Sequence, residues 1–274
     1  MCDISSCGHH NDLPVIEVTK EQRRLFLKGM LSLPLATVLA YPEFSHAAAK
    51  KAESIHITTS GGKDVSAAIA MPENENAPAV LLIHEWWGLN DQIKSVAVEL
   101  ANQGYVALAV DLYNGEVATT RDKAKSLTQS VDPAAATDTL VSWIQMLKNH
   151  SATNGKVATM GWCFGGGWSL NASLATPVDA TVIYYGNVKK SKDDLSTLKS
   201  PVMGHFATED QWINQEMVGG FESSMAAAGK GDDLQVFWYE ANHAFANPTS
   251  ARYDQEDAAT AWERTLEFLK THTS

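Results

Sequence analysis

From residue 54 onward the chain alternates short apolar runs with amphipathic stretches. Residues 54–60 and 64–71 alternate at period two on either side of Gly61 and Gly62, the pattern of a hairpin with one buried face. By contrast "PAVLLIH" (78–84) and "YVALAVD" (105–111) are continuously apolar, as strands covered on both faces are. Between them Ile93, Val96, Ala97 and Leu100 recur at helical spacing over 91–103, and Gly104 supplies a C-terminal stop. The same reading predicts helices over 121–129, 133–149, 165–175, 214–228 and 251–270, and strands at 156–162, 179–185, 200–206 and 234–240. Strands separated by helices need crossover connections. The predicted fold class is therefore α/β, with a mostly parallel central sheet of about seven or eight strands, helices on both faces and the hairpin as an antiparallel edge.

The first fifty residues break this pattern. "RRLFLK" (23–28) precedes a mildly apolar run of 12 residues, Gly29 to Ala40, that contains Pro34, and Ala47, Ala48 and Ala49 follow. So short a run cannot cross a bilayer as a helix, and the arrangement reads as an export signal. Arg23 and Arg24 resemble a twin-arginine signal, with Gln22 where that pattern has Ser or Thr. The expected organisation is a leader over 1–49 and a single domain over 50–274, with the twin-arginine export machinery as a partner. The expected location is periplasmic or otherwise exported, with no stable membrane insertion. Cys2, Cys7, His9 and His10 could bind a soft metal, but their spacing fits no closed zinc site, so they read as incidental to the leader.

With 274 residues, 45% of them hydrophobic, the chain can bury a large core. Its net charge of −11 repels nucleic-acid phosphates and anionic lipid, which points to small-molecule substrates instead. No cofactor motif is present, so no cofactor is expected. Cys163 is the only cysteine after residue 7. In an oxidising compartment a lone thiol is kept either by deep burial or by a chemical role.

An α/β sheet places its chemistry at the carboxyl ends of strands. His84, Glu85, Asp111, Cys163, Asp210 and His243 all stand just after apolar runs. Gly161-Trp162-Cys163-Phe164-Gly165 has the form of a nucleophile elbow, where a glycine two residues to each side lets strand and helix close on a strained turn. The helix that starts there brings unpaired N–H groups and a positive dipole end to the sulfur. A small buried cysteine is the plain alternative, and the glycine spacing argues against it. A thiol nucleophile needs a base and an orienter. Asp210 and His243 supply them in the chain order nucleophile, acid, histidine, which is the order of the α/β-hydrolases. Glu209 competes with Asp210 by position. His205 competes with His243, but it lies inside an apolar run and reads as a core group.

"HEWWGLN" (84–90), "VDLYNG" (110–115), "GWCFGG" (161–166), "ATEDQW" (207–212) and "YEANHAFAN" (239–247) together resemble the dienelactone hydrolases, cysteine-dependent members of the α/β-hydrolase fold, over residues 54–271. The resemblance implies Cys163 as nucleophile, His243 as general acid and base, and Asp210 as its orienter. It implies that Glu85 pairs with the resting cysteine, and that the backbone N–H groups of Phe164 and Trp86 hold the oxyanion. Trp87, Tyr113, Trp162 and Trp212 are expected to form an aromatic substrate pocket with Trp86. One departure matters. The arginines with which dienelactone enzymes clamp the substrate carboxylate are absent: Gly115 and its neighbours stand at one place and Asn247 at the other, with Arg121 the nearest basic residue. The expected activity is hydrolysis of a small ester or lactone through a thioester acyl-enzyme. The rival is a catalytically idle, ligand- or redox-responsive binding protein on the same scaffold.

Overall fold

The computed structural model describes residues 17–274. Eight strands form one sheet: β1 (Glu53–Thr58), β2 (Asp64–Ala70), β3 (Ala77–Ile83), β4 (Val106–Val110), β5 (Thr153–Trp162), β6 (Ala180–Tyr184), β7 (Val202–Ala207) and β8 (Leu234–Tyr239). Their order is β1-β2-β4-β3-β5-β6-β7-β8. β1 pairs antiparallel with β2 and β2 antiparallel with β4, while every later pairing is parallel. The hairpin is thus the antiparallel edge, and all parallel strands end on one side of the molecule.

The period-two geometry of a strand divides the core into two layers. Val80 and Leu82 face the layer under the helices Asp91–Asn102 and Gln255–Thr273. Leu81 and Ile83, between them in sequence, join the layer under Pro133–Asn149. Continuous apolar strands follow from this, because both faces are covered. Side chains of Asn90, Thr120, Asp132 and Asn214 cap the helices that follow them, each accepting from a backbone N–H of the first turn.

The last helix starts at Gln255 and not at Ala251 as predicted. Asp254 caps it by accepting from the N–H groups of Glu256 and Asp257. Its own N–H donates to Phe245 O, so residues 251–254 are held against the loop that carries His243. Periodicity cannot see such a tie.

The N-terminal stretch is helical over Lys20–Leu27, Leu35–Ala40 and Pro42–Ala49. The last two pack on the helix Asp91–Asn102. Ser95 Oγ donates to Ser45 O at 2.9 Å, Gln92 Nε2 donates to Leu39 O at 3.2 Å, and His46 Nδ1 lies 2.9 Å from Asp91 Oδ2. Ala48 and Ala49, at the expected end of the leader, are buried in that contact. Cys2, Cys7, His9 and His10 lie outside the described residues. Among the described residues no helix is long and apolar enough to cross a membrane.

Candidate active site

β5 stops at Trp162, the helix Phe164–Ala175 starts one residue later, and Cys163 makes the turn between them with φ 54° and ψ −115°. Positive φ in a residue with a side chain is strained by about 1–3 kcal/mol and persists only where its surroundings enforce it. Here Cys163 N–H donates to Tyr184 O at 3.0 Å, and Gly166 N–H donates to Cys163 O at 3.1 Å. The approach is close enough to require glycine on both sides. A Cβ on Gly161 would stand 2.1 Å from Gly165 O, and one on Gly165 would stand 2.1 Å from Ile83 O. Phe164 opens the helix, so its N–H has no acceptor one turn earlier within that helix.

His243 follows β8. Its Nδ1 lies 2.6 Å from Asp210 Oδ2, and both side chains are almost fully buried. The other Asp210 oxygen accepts from the amides of Trp212 at 2.8 Å and Ile213 at 3.0 Å. Burial pushes the Asp210 carboxyl up, but the hydrogen bond and charge of His243 and the two amides outweigh it and hold the group below its ordinary range. An ionised Asp210 accepts a hydrogen bond from Nδ1–H of His243, which fixes that tautomer and leaves Nε2 as the nitrogen that can accept or give a proton. Glu209 instead accepts from Asn242. His205 is fully buried between Tyr239 Oη at 2.8 Å and Thr265 Oγ1 at 3.0 Å, with burial and then the Arg264 charge pushing it down to about 3.

Glu85 is buried, and its Oε2 accepts from Asn247 Nδ2 at 2.8 Å. Asn247 Oδ1 is occupied by the N–H and hydroxyl of Thr249, which turns its NH₂ toward the carboxyl. So the residue standing where dienelactone enzymes carry an arginine grips Glu85. Burial raises the Glu85 carboxyl, only partly offset by the His243 charge and by hydrogen bonds from Asn247 and Tyr185. The preceding residue, His84, accepts from Leu112 N–H at Nε2, so its Nδ1 carries the proton donated to Glu85 O at 2.6 Å. Asp111 serves the turn after β4, accepting from Tyr113 N–H, Gly115 N–H and Ser66 Oγ.

Cys163 and His243 line one cavity of about 710 Å³, together with Trp86, Phe164, Tyr185 and Trp212. Trp212 meets His243 edge-on at 5.4 Å. The other expected pocket residues do not line this cavity. Trp162 is one position before the nucleophile on the strand, so it points to the opposite face and stacks on Tyr184. Tyr113 stands just behind the cavity wall, packed against His84 and Phe164, with its hydroxyl on the cavity residue Thr128 and within electrostatic reach of Cys163. Trp87 is packed edge-on against Trp86, in the core layer beneath. In their place the cavity presents Trp168, Asn171 and three lysines, Lys125, Lys189 and Lys190. No motif marks these lysines. Lys189 and Lys190 do lie in the loop after β6, where the strand-end rule applied to cations would have found them. Among the described residues no three His, Cys, Asp or Glu side chains are grouped as metal ligands.

A model of the dienelactone hydrolase family matches residues 65–273. A carboxymethylenebutenolidase of Pseudomonas putida is 31% identical over 232 residues, covering 79% of this chain and 95% of its own. Carboxymethylenebutenolidase 1 of Cupriavidus pinatubonensis is 26% identical over 227 residues, covering 79% and 96%. In fold, the chain is similar to the crystal structure of a dienelactone hydrolase-like promiscuous phosphotriesterase from metagenomic libraries, with a TM-score of 0.73, 22% identity, and coverage of 82% of this chain and all of the other. The elbow, the sheet order and the matched span leave one assignment: this chain belongs to the dienelactone hydrolase family.

Proposed function

We propose that the protein hydrolyses small esters or lactones with Cys163 as nucleophile, His243 as general acid and base, and Asp210 as the group that holds His243 in its tautomer. The observation that carries this reading is the strained Cys163 turn and the Asp210-bound His243 opening on the same cavity. The thiol proton passes to His243 Nε2, with the buried Glu85 carboxyl near the resulting imidazolium charge, and the thiolate sulfur bonds to the substrate carbonyl carbon. The carbonyl π electrons move to oxygen, where the N–H groups of Phe164 and Trp86 meet them. Collapse breaks the bond to the alkoxide, which leaves with a proton from His243 Nε2. Water then attacks the thioester, His243 takes its proton, and the thiolate departs with the acid released. The tryptophans favour an apolar acyl group. Lys125, Lys189 and Lys190 favour a negative charge at the mouth of a cavity that belongs to an otherwise acidic protein.

Cys163→Ala is expected to reduce turnover of 4-nitrophenyl acetate on the order of 10⁵-fold. Mass spectrometry of the wild type in acidified single-turnover samples should show an acetyl adduct on Cys163. Wild-type rates in the alanine variant would sink the mechanism.

We also propose that the N-terminal segment directs export through a twin-arginine-like signal and that the protein works in the periplasm. Arg23 and Arg24 stand largely exposed on the helix Lys20–Leu27, reachable by a receptor. Replacing both by lysine should retain the protein in the cytoplasmic fraction. Unchanged fractionation would remove the export reading.

A further inference from the structure

A second cavity, of about 290 Å³, lies behind Glu85. It shares only Tyr185 with the cavity that holds Cys163. Trp162 forms part of its wall, and that single-residue step along β5 puts the two spaces on opposite faces of the sheet end. The floor comes from Val96 on one helix and Trp262 on another, and the N-terminal segment closes it with Leu35 and Leu39. A stretch that reads in the sequence as leader is therefore structural here: it completes an apolar chamber against the domain.

In the chamber wall Glu85 and Asn247 are joined by their 2.8 Å hydrogen bond. Tyr253 also lines it, nine-tenths buried, and among the described residues its hydroxyl has no hydrogen-bond partner. Leaving a buried hydroxyl without a partner costs about 1–3 kcal/mol, so such a group in a cavity wall points to a ligand or water that satisfies it. The volume is near the lower end of the ~300–1,000 Å³ typical of small-molecule sites, which fits a compact bicyclic molecule. The buried carboxyl of Glu85 and the nearby Glu99 disfavour an anion.

We propose that this chamber is a second ligand site, which takes an uncharged, compact aromatic molecule bearing one hydroxyl directed to its Glu85–Asn247 pair. The hydroxyl donates to the Glu85 carboxyl and its oxygen accepts from the Tyr253 hydroxyl, and the rings pack between Trp162, Trp262 and the leucines of the N-terminal segment. The site belongs to the uncut chain, since cleavage after Ala49 removes Leu35 and Leu39 and opens the chamber to solvent.

Calorimetric titration of the full-length Cys163→Ala protein with 2-naphthol tests this without any turnover, so the result does not depend on the hydrolytic mechanism. One saturable site is expected, and 2-naphthoate should bind at least tenfold more weakly. Ala258→Phe fills the chamber from the last helix and Ala36→Trp fills it from the N-terminal wall. Each should weaken 2-naphthol at least tenfold, and the second serves if the first fails to fold. Asn171→Trp, which crowds the Cys163 cavity, should leave binding unchanged. Absence of saturable binding, full binding in folded filling variants, or loss of binding in Asn171→Trp would overturn the site. Equal binding of 2-naphthoate would overturn the uncharged ligand class.

Discussion

At the scale of single residues, Glu85 has the environment that makes the clearest demand. Its carboxyl is buried, and burial raises it above its ordinary value despite His243, Asn247 and Tyr185. A group with a raised folded-state pKa stabilises the fold fully below its unfolded value, and that contribution is lost as pH rises through the folded value. Glu85→Gln keeps an oxygen for Asn247 Nδ2 but does not titrate. The variant is therefore expected to match the wild type at acid pH and to become progressively more stable than it as pH rises into the neutral and alkaline range. Urea denaturation across that range checks it, and a difference that is flat or shrinks with pH would refute it. Which residues were legible follows from the same local physics. The turn at Cys163 and the placement of Asp210 and His243 after their strands could be read because glycine spacing and strand ends are sequence properties. Trp162 could not, since adjacent residues at a strand end face opposite ways and only the turn geometry says which way the cavity lies.

At the scale of elements, the elbow depends on contacts between backbones. The helix Phe164–Ala175 sits so close to β3 and β5 that a Cβ on Gly165 would collide with the carbonyl of Ile83 and one on Gly161 with that of Gly165. Gly165→Ala would force the helix off the sheet, an overpacking cost of about 1–3 kcal/mol or more. It should also move the Phe164 N–H and the Cys163 sulfur together. The expected outcome is a lowered denaturation midpoint with a larger loss in kcat than in KM for 4-nitrophenyl acetate. Unaltered kcat in a destabilised variant would separate the elbow from the chemistry. Strands and helices of the main domain were legible because each carries its own period. The late start of the last helix was not, because it is set by Asp254 capping the helix while its N–H reaches Phe245 O, a tertiary tie. Likewise, the run Gly29–Ala40 is too weakly apolar to announce that part of it packs as a helix on Asp91–Asn102.

At the scale of the whole molecule, the N-terminal layer and the sheet domain have separate interiors. Val38, Phe44 and Ala48 form their own small cluster, with Phe26 4.9 Å and Tyr41 5.2 Å from the Phe44 ring. This layer is joined to the domain by Leu39, which enters the main core, and by polar ties to Gln92, Ser95 and Asp91. Phe44 is 1% exposed. Phe44→Ala should thus cost the layer about 3–5 kcal/mol while sparing the sheet, whose core it does not enter. An element that loses this much while its neighbour does not will open locally. Limited proteolysis should cut the variant within residues 20–49 well before any cut in the domain, and the urea midpoint of the domain should move little. A single cooperative transition shifted by the full amount, with no early N-terminal cut, would show instead that layer and sheet fold as one unit. Separate stabilities are also what the proposed export leader would need in order to be cut after Ala49. A peptidase needs an extended substrate, and the helix Pro42–Ala49 can present one only by leaving Asp91–Asn102 while the domain stays folded.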